Sequence, residues 1–145
     1  MDLDAFRTVV KGLITHDGRV LIGQKEDDES HPIGGEWHLL GGHVAFDEHV
    51  EVAMRREVRE ETGLEVTVET LVDAMTFPWG GEGVRDSLQL VYHCEASTDD
   101  AKARDDLQAV QWVAPDELAA TLFEEEAKRV RNRPRQASFV AALGD

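Results

Sequence analysis

The spacing of apolar positions changes along this 145-residue chain, and each change marks an element. Residues 7–15 alternate loosely and are rich in β-branched side chains. His16-Asp17-Gly18-Arg19 reads as a turn, and residues 20–24 as the returning strand of a hairpin. The polar, Gly- and Pro-containing stretch 25–36 predicts a surface loop, and 37–40 is a short apolar run ending at Gly41-Gly42. Between Glu48 and Glu61 there is no Gly or Pro and the apolar period is largely helical, until Gly63 stops it. Residues 64–77 predict one or two strands. Pro78-Trp79-Gly80-Gly81 then breaks the chain, placing Phe77, Pro78 and Trp79 in a loop. Further strands are predicted at 88–95 and 109–113. Pro115 opens a helix with Asp116 and Glu117 in its first turn, and 124–143 reads as helix interrupted near Pro134. Strands bracket a central helix, with more helix at the end: an α/β arrangement in one domain over residues 1–145.

Composition narrows the function classes. Hydrophobic residues make up 41% of the chain, enough for a core and too many for a disordered acidic tail. No apolar run approaches the roughly 20 residues that span a bilayer, and MDLDAFRTVV lacks the regions of a signal peptide. Cys94 is the only cysteine, so neither an intrachain disulfide nor a multi-cysteine zinc site can form. These features predict a cytoplasmic protein with no membrane partner. Thirty acidic residues face 15 basic ones, a formal charge of -15. Stable nucleic-acid binding, which needs a basic face, is not expected. Such an excess of carboxylates is also what adaptation to high salt would produce, where screening removes the self-repulsion. The one basic cluster, Lys128-Arg129-Val130-Arg131-Asn132-Arg133-Pro134-Arg135, is expected to pair with the acidic surface, within the chain or across a homodimer.

On a helical wheel, Val50, Ala53 and Met54 share one face of the central segment. Glu57, Glu60 and Glu61 fall within roughly 70° of the centre of that face. The stripe that should dock the helix thus ends in three carboxylates, which repel one another and lose solvation unless a multivalent cation neutralises them. An oxygen-only ligand set suits Mg²⁺ or Mn²⁺.

The same residues fill every specified position of the Nudix box: Gly42, five residues, Glu48, seven residues, then Arg56-Glu57-Val58-Arg59-Glu60-Glu61-Thr62-Gly63-Leu64. Trp37-His38-Leu39-Leu40-Gly41-Gly42 and Gln111-Trp112-Val113-Ala114-Pro115-Asp116-Glu117-Leu118 resemble the segments that flank the box in that family, so the likeness covers roughly residues 6–122. Leu40 stands where many members have proline, and Asp47 where many have glycine.

The resemblance implies a Nudix fold, a mixed β-sheet sandwiched between α-helices, with the box at 42–64 forming loop-helix-loop. It implies hydrolysis of the diphosphate linkage of a nucleoside diphosphate derivative or triphosphate, by water attack at phosphorus. Glu57, Glu60 and Glu61, with the Gly41 carbonyl, would hold Mg²⁺ or Mn²⁺. Glu57 would orient or deprotonate the water, and Arg56 and Glu48 would pair to fix the loop.

In some members the base lies on a loop outside the box, for which Glu82, Asp105 and Asp106 are the candidates. Pro78, about fifteen residues past the box, resembles ADP-ribose-cleaving members, whereas residues 21–44 resemble members acting on nucleoside triphosphates. Trp37, Phe77 and Trp79 are candidates to stack on a base of this small-molecule substrate, although such aromatics are more often core or loop packing. His38, His43 and His93 read as packed or surface histidines, and Cys94 as a buried thiol. A nucleotide-sensing module without catalysis is the competing class. Such modules usually carry a degraded box and a second domain, and this box is complete.

Overall fold

The computed structural model describes residues 4–26, 37–78 and 84–118. The first hairpin forms where expected. Strand β1 (Asp4–His16) turns through Asp17 and Gly18, both at positive φ (50° and 77°), into β2 (Arg19–Lys25). The two strands then part: only Thr15 with Val20 and His16 with Arg19 are paired. Beyond the turn β1 pairs antiparallel with β4 (Leu40–His43) and parallel with β6 (Val84–Ala96). Strand β2 pairs with β3 (Trp37–His38) and β7 (Leu107–Val113), and β6 carries β5 (Val66–Pro78) on its far side. Among the described residues the result is one mixed seven-stranded sheet.

Two sequence expectations are corrected. The predicted run 37–40 splits into β3 and β4 at Leu39, whose side chain is fully buried. Phe77 and Pro78, expected in a loop, end β5, paired with Ser87 and Asp86. The one or two strands expected over 64–77 are one, β5, which absorbs two register shifts, between Val68 and Thr70 and between Leu71 and Asp73.

Helix α1 (Val50–Thr62) starts two residues later than predicted. Residues 45–48 form a turn, and His49 caps the helix by accepting the Glu51 N–H on Nδ1 at 3.3 Å. Gly63 ends it at φ 79°, its N–H donating to the Arg59 carbonyl. Ala53, Met54 and Val58 are buried against Val10, Ile14, Leu21, Leu40 and Cys94. Side chains as large as Met54 and Val58 each contribute about 1.5–3 kcal/mol when fully buried. A second cluster, Leu13, Val20, Ile22, Leu39, Val91, Val113 and Leu118, lies apart from the one under α1. Leu118 belongs to a helical turn at 115–118 that Pro115 opens, as the sequence predicts. The helix expected at 124–143 and the loop at 27–36 lie outside the described residues. No helix among the described residues is long and apolar enough to cross a membrane. Cys94 is buried, and burial pushes its thiol up to about 12.

Candidate active site

The loop between β4 and α1 is tied by two contacts. Glu48 N–H donates to the Ala45 carbonyl at 3.1 Å, and Ala45 N–H donates to Glu48 Oε1 at 2.9 Å. Asp47 sits at φ 65°. It supplies the left-handed turn itself at the position where many Nudix sequences have glycine, aspartate being among the few other residues that tolerate this region.

Glu48 is thereby aimed at Arg56, whose Nε and Nη2 grip its two oxygens at 2.7 and 2.9 Å. Arg56 Nη2 also donates to the His43 carbonyl at 3.0 Å, so one guanidinium ties β4, the loop and α1 together. The Arg56 hydrogen bonds, helped by the Ala45 N–H, hold the Glu48 carboxyl down at about 2, against an ordinary value of 4.5. A carboxyl lowered in the folded state contributes stability above pH 4.5 that disappears as pH falls through about 2. Thermal unfolding of Glu48→Gln between pH 2 and pH 6 is expected to lack this part of the acid limb. Identical pH profiles for the variant and the parent would contradict the assignment.

The same guanidinium reaches the carboxylates of the helix: Nη1 lies 3.0 Å from Glu57 Oε1 and 3.2 Å from Glu60 Oε2. Glu57 packs over Gly42, where a Cβ would stand 2.6 Å from its carboxyl carbon. Burial raises the Glu57 pKa and Arg56 opposes the rise. Gly42→Ala should displace this carboxylate and lower kcat/KM about 100-fold, the scale of a 1 Å misplacement. Circular dichroism should show the fold retained, and wild-type turnover by the variant would mean that the place of Glu57 is unimportant.

Glu61 is the buried member, only 1% exposed. Its Oε1 accepts the Gly41 N–H at 3.0 Å, and its Oε2 stands 3.8 Å from Lys25 Nζ. Gly41 has φ 154° and any Cβ on it would overlap the Val10 carbonyl oxygen, so only glycine lets the amide meet this carboxylate here. Burial drives the Glu61 carboxyl up to about 7, against the pull of Lys11 and Lys25. Glu60, in contrast, has a side chain 49% exposed. Val58, absent from the predicted stripe, belongs to the buried face and turns its centre away from Glu60. The acids are graded from core to solvent rather than equally inward.

Among the described residues, no three His, Cys, Asp or Glu side chains are gathered closely enough to hold a metal ion. Arg56 takes Glu57 and Glu60, while Gly41 N–H and Lys25 take Glu61. The donor set nevertheless fits a hard divalent cation. It offers carboxylate oxygens only, and Glu61 is a carboxylate buried beside Glu57, where the charged form is costly without a cation.

The other predicted residues divide. Trp37 packs beside the cluster of Leu13 and Leu39, at one end of the strand order, and half-buried Phe77 lies on β5 at the other. Trp79 and Glu82 lie outside the described residues. Asp105 is exposed at φ 58°, whereas Asp106 forms an ion pair with Lys25 at 2.7 Å. His38 is buried, His43 is exposed and close to Arg7 (2.7 Å), and His93 is half-buried against Thr15. Lys25 was missed: the sequence places it in a loop, but it ends β2, and its being one of only four lysines was the available signal.

The NUDIX domain profile matches residues 5–134. The chain belongs to the Nudix hydrolase family. Nucleoside triphosphatase NudI of Escherichia coli O81 (strain ED1a) is 33% identical over 120 residues, covering 77% of this chain and 84% of that protein. The crystal structure of a MutT NUDIX hydrolase from Burkholderia pseudomallei superposes with a TM-score of 0.68 at 28% identity, over 83% of this chain and 96% of that one. A MutT protein from Methanosarcina mazei Go1 does so at 0.76 and 20% identity, over 97% and 94%, a likeness of fold. This Nudix hydrolase therefore acts on phosphorus-containing anhydrides of nucleotide type, and its family generally uses divalent metals.

Proposed function

We propose that this Nudix hydrolase is a Mg²⁺-dependent nucleoside triphosphate pyrophosphohydrolase, with Mn²⁺ able to substitute. The observation that carries the reading is the buried Glu61 carboxylate on the Gly41 amide, with Glu57 beside it over Gly42. The triphosphate class is supported by the relative named as a nucleoside triphosphatase, which matches 77% of this chain. Pro78, the residue that resembles ADP-ribose-cleaving members, closes strand β5, paired with Asp86.

Glu57, Glu60 and Glu61, with the Gly41 carbonyl, would hold the cation. When bound, it supplies charge neutralisation and polarisation of the phosphoryl oxygen. Glu57, held by Arg56, would orient the attacking water and receive its proton. The water oxygen bonds to phosphorus, the bridging P–O bond breaks, and its electron pair stays on the oxygen of the departing fragment, so that a nucleoside monophosphate and pyrophosphate result. Arg56 holds Glu57 by one oxygen and Glu48 by two, so the carboxylate is oriented before substrate arrives. Such a reaction depends on positioning and charge far more than on covalent chemistry.

The test is hydrolysis of a panel by the purified protein: dGTP, 8-oxo-dGTP, ADP-ribose, NADH, a diadenosine polyphosphate and GDP-mannose, with and without Mg²⁺. Chromatography should show a nucleoside monophosphate and pyrophosphate from a triphosphate as the preferred reaction. Preference for ADP-ribose or GDP-mannose would overturn the substrate class, and nucleotide binding without turnover would point to the sensing module.

A further inference from the structure

The β6–β7 loop holds the end of the carboxylate helix. Its Arg104 and Lys102 N–H groups donate to the Glu61 and Thr62 carbonyls at 2.9 and 3.1 Å, terminal acceptors that helix geometry leaves without partners. The Arg104 guanidinium packs on Gly63, where a Cβ would lie 2.9 Å from its Cζ. At the other side Glu26 N–H donates to the Asp106 carbonyl at 2.9 Å, and the Trp112 indole N–H fixes the Asp99 carbonyl at 2.9 Å. Asp106 is thereby set at a fixed place relative to both β2 and α1. Its Oδ2 lies 2.7 Å from Lys25 Nζ, and the same ammonium stands 3.8 Å from Glu61 Oε2. The Lys25 side chain is only 15% exposed and that of Glu61 2%, so little water screens this row of charges.

We propose that Asp106 is a positioning residue, which through Lys25 sets how far the protein itself neutralises Glu61 and so how readily Glu61 takes a divalent cation. The inference rests on the reading of Glu61 as a metal ligand. An ammonium cannot coordinate a cation and repels one. Asp106 holds it at a full charge-assisted hydrogen bond, while the 3.8 Å separation from Glu61 is longer than the 2.7–2.9 Å of such bonds. Glu61 is thus attracted by Lys25 without being capped by it. With a neutral residue at 106, Lys25 closes on Glu61 and competes with the metal. Asp106 acts here through Lys25, and neither as ligand nor as base.

The experiment is Mn²⁺ binding to the substrate-free, full-length protein, followed by electron paramagnetic resonance of free Mn²⁺. It compares the parent, Asp106→Asn, Lys25→Met and the double variant, with thermal unfolding of each. Groups that support a ligand without touching the metal change affinity roughly 10–100-fold, so Asp106→Asn is expected to weaken Mn²⁺ binding about tenfold. Lys25→Met should bind no more weakly than the parent, and adding Asp106→Asn to it should change affinity by less than about twofold. Asp106→Glu should return affinity to near that of the parent. An Asp106→Asn loss that persists undiminished in the Lys25→Met background overturns the proposal, because Asp106 would then touch the cation itself. No loss in Asp106→Asn, or an equal loss in Asp106→Glu, overturns it as well. Mn²⁺ binding that survives Glu61→Gln sinks the metal reading and this inference with it. Binding lost in Glu61→Gln, with the Asp106 effect independent of Lys25, sinks the inference alone.

Discussion

Glu61→Gln is expected to lower kcat/KM by about two to three orders of magnitude while leaving the metal-free protein at least as stable at pH 8. The activity loss follows from removing a charged ligand from a site asked for several kcal/mol of charge stabilisation, at about 1.4 kcal/mol per tenfold in rate. The stability expectation follows from the cost of a buried charge. Glu61 titrates at about 7 in the fold, above its ordinary 4.5, because burial disfavours the carboxylate. The folded state therefore binds a proton that the unfolded chain gives up. Stability rises as pH falls through about 7 and stops rising near 4.5, while above 7 the full cost of the charge is present. Glutamine keeps the shape and an acceptor for the Gly41 N–H but carries no charge, so the variant should lose this pH dependence. Steady-state kinetics and melting curves from pH 4 to pH 9 check both halves. A variant that is inactive because it is unfolded would not support the account.

Arg56→Lys should cost about 100-fold in kcat/KM and lower the melting temperature, although charge is conserved. Arginine here makes a planar fork on Glu48, a bond to the His43 carbonyl and contacts to Glu57 and Glu60. A lysine has one ammonium and cannot span β4, the loop and two turns of helix together. The loop would then loosen from the helix and Glu57 would lose its holding contact, a misplacement on the scale that costs about 100-fold. The loss should fall mainly on kcat, since Arg56 orients the base. Kinetics within about twofold of the parent would show that charge alone matters at this position.

Much of this site was legible because it is local. The box residues act within one loop and one helix, so the three-carboxylate run and the glycine stop follow from spacing along 42–64, and the Glu48–Arg56 pair from the family resemblance. What the sequence did not disclose depends on contacts between distant segments. The parallel pairing of β1 with β6 joins residues about 80 positions apart, and alternation along a strand does not name its partner. Phe77 and Pro78 read as loop because proline usually ends pairing, yet Pro78 closes an edge strand, a place where proline is tolerated. The grading of Glu57, Glu60 and Glu61 turned on Val58, whose burial is fixed by the sheet beneath the helix. Lys25 and Asp106 lie 81 residues apart and meet only once β2 has paired with β7. Asp47 was a departure whose consequence needed a dihedral angle: at φ 65° the aspartate does the turning that glycine does elsewhere.

The central claim is that Glu57, Glu60 and Glu61 form a divalent-cation site on which hydrolysis depends. The most direct measurement is dGTP turnover by chelator-stripped protein, titrated with Mg²⁺, for the parent and Glu61→Gln. No turnover without metal, saturable recovery in the parent and negligible recovery in Glu61→Gln are the predicted results. Turnover that persists in chelator, or recovery in Glu61→Gln equal to that of the parent, would contradict the claim.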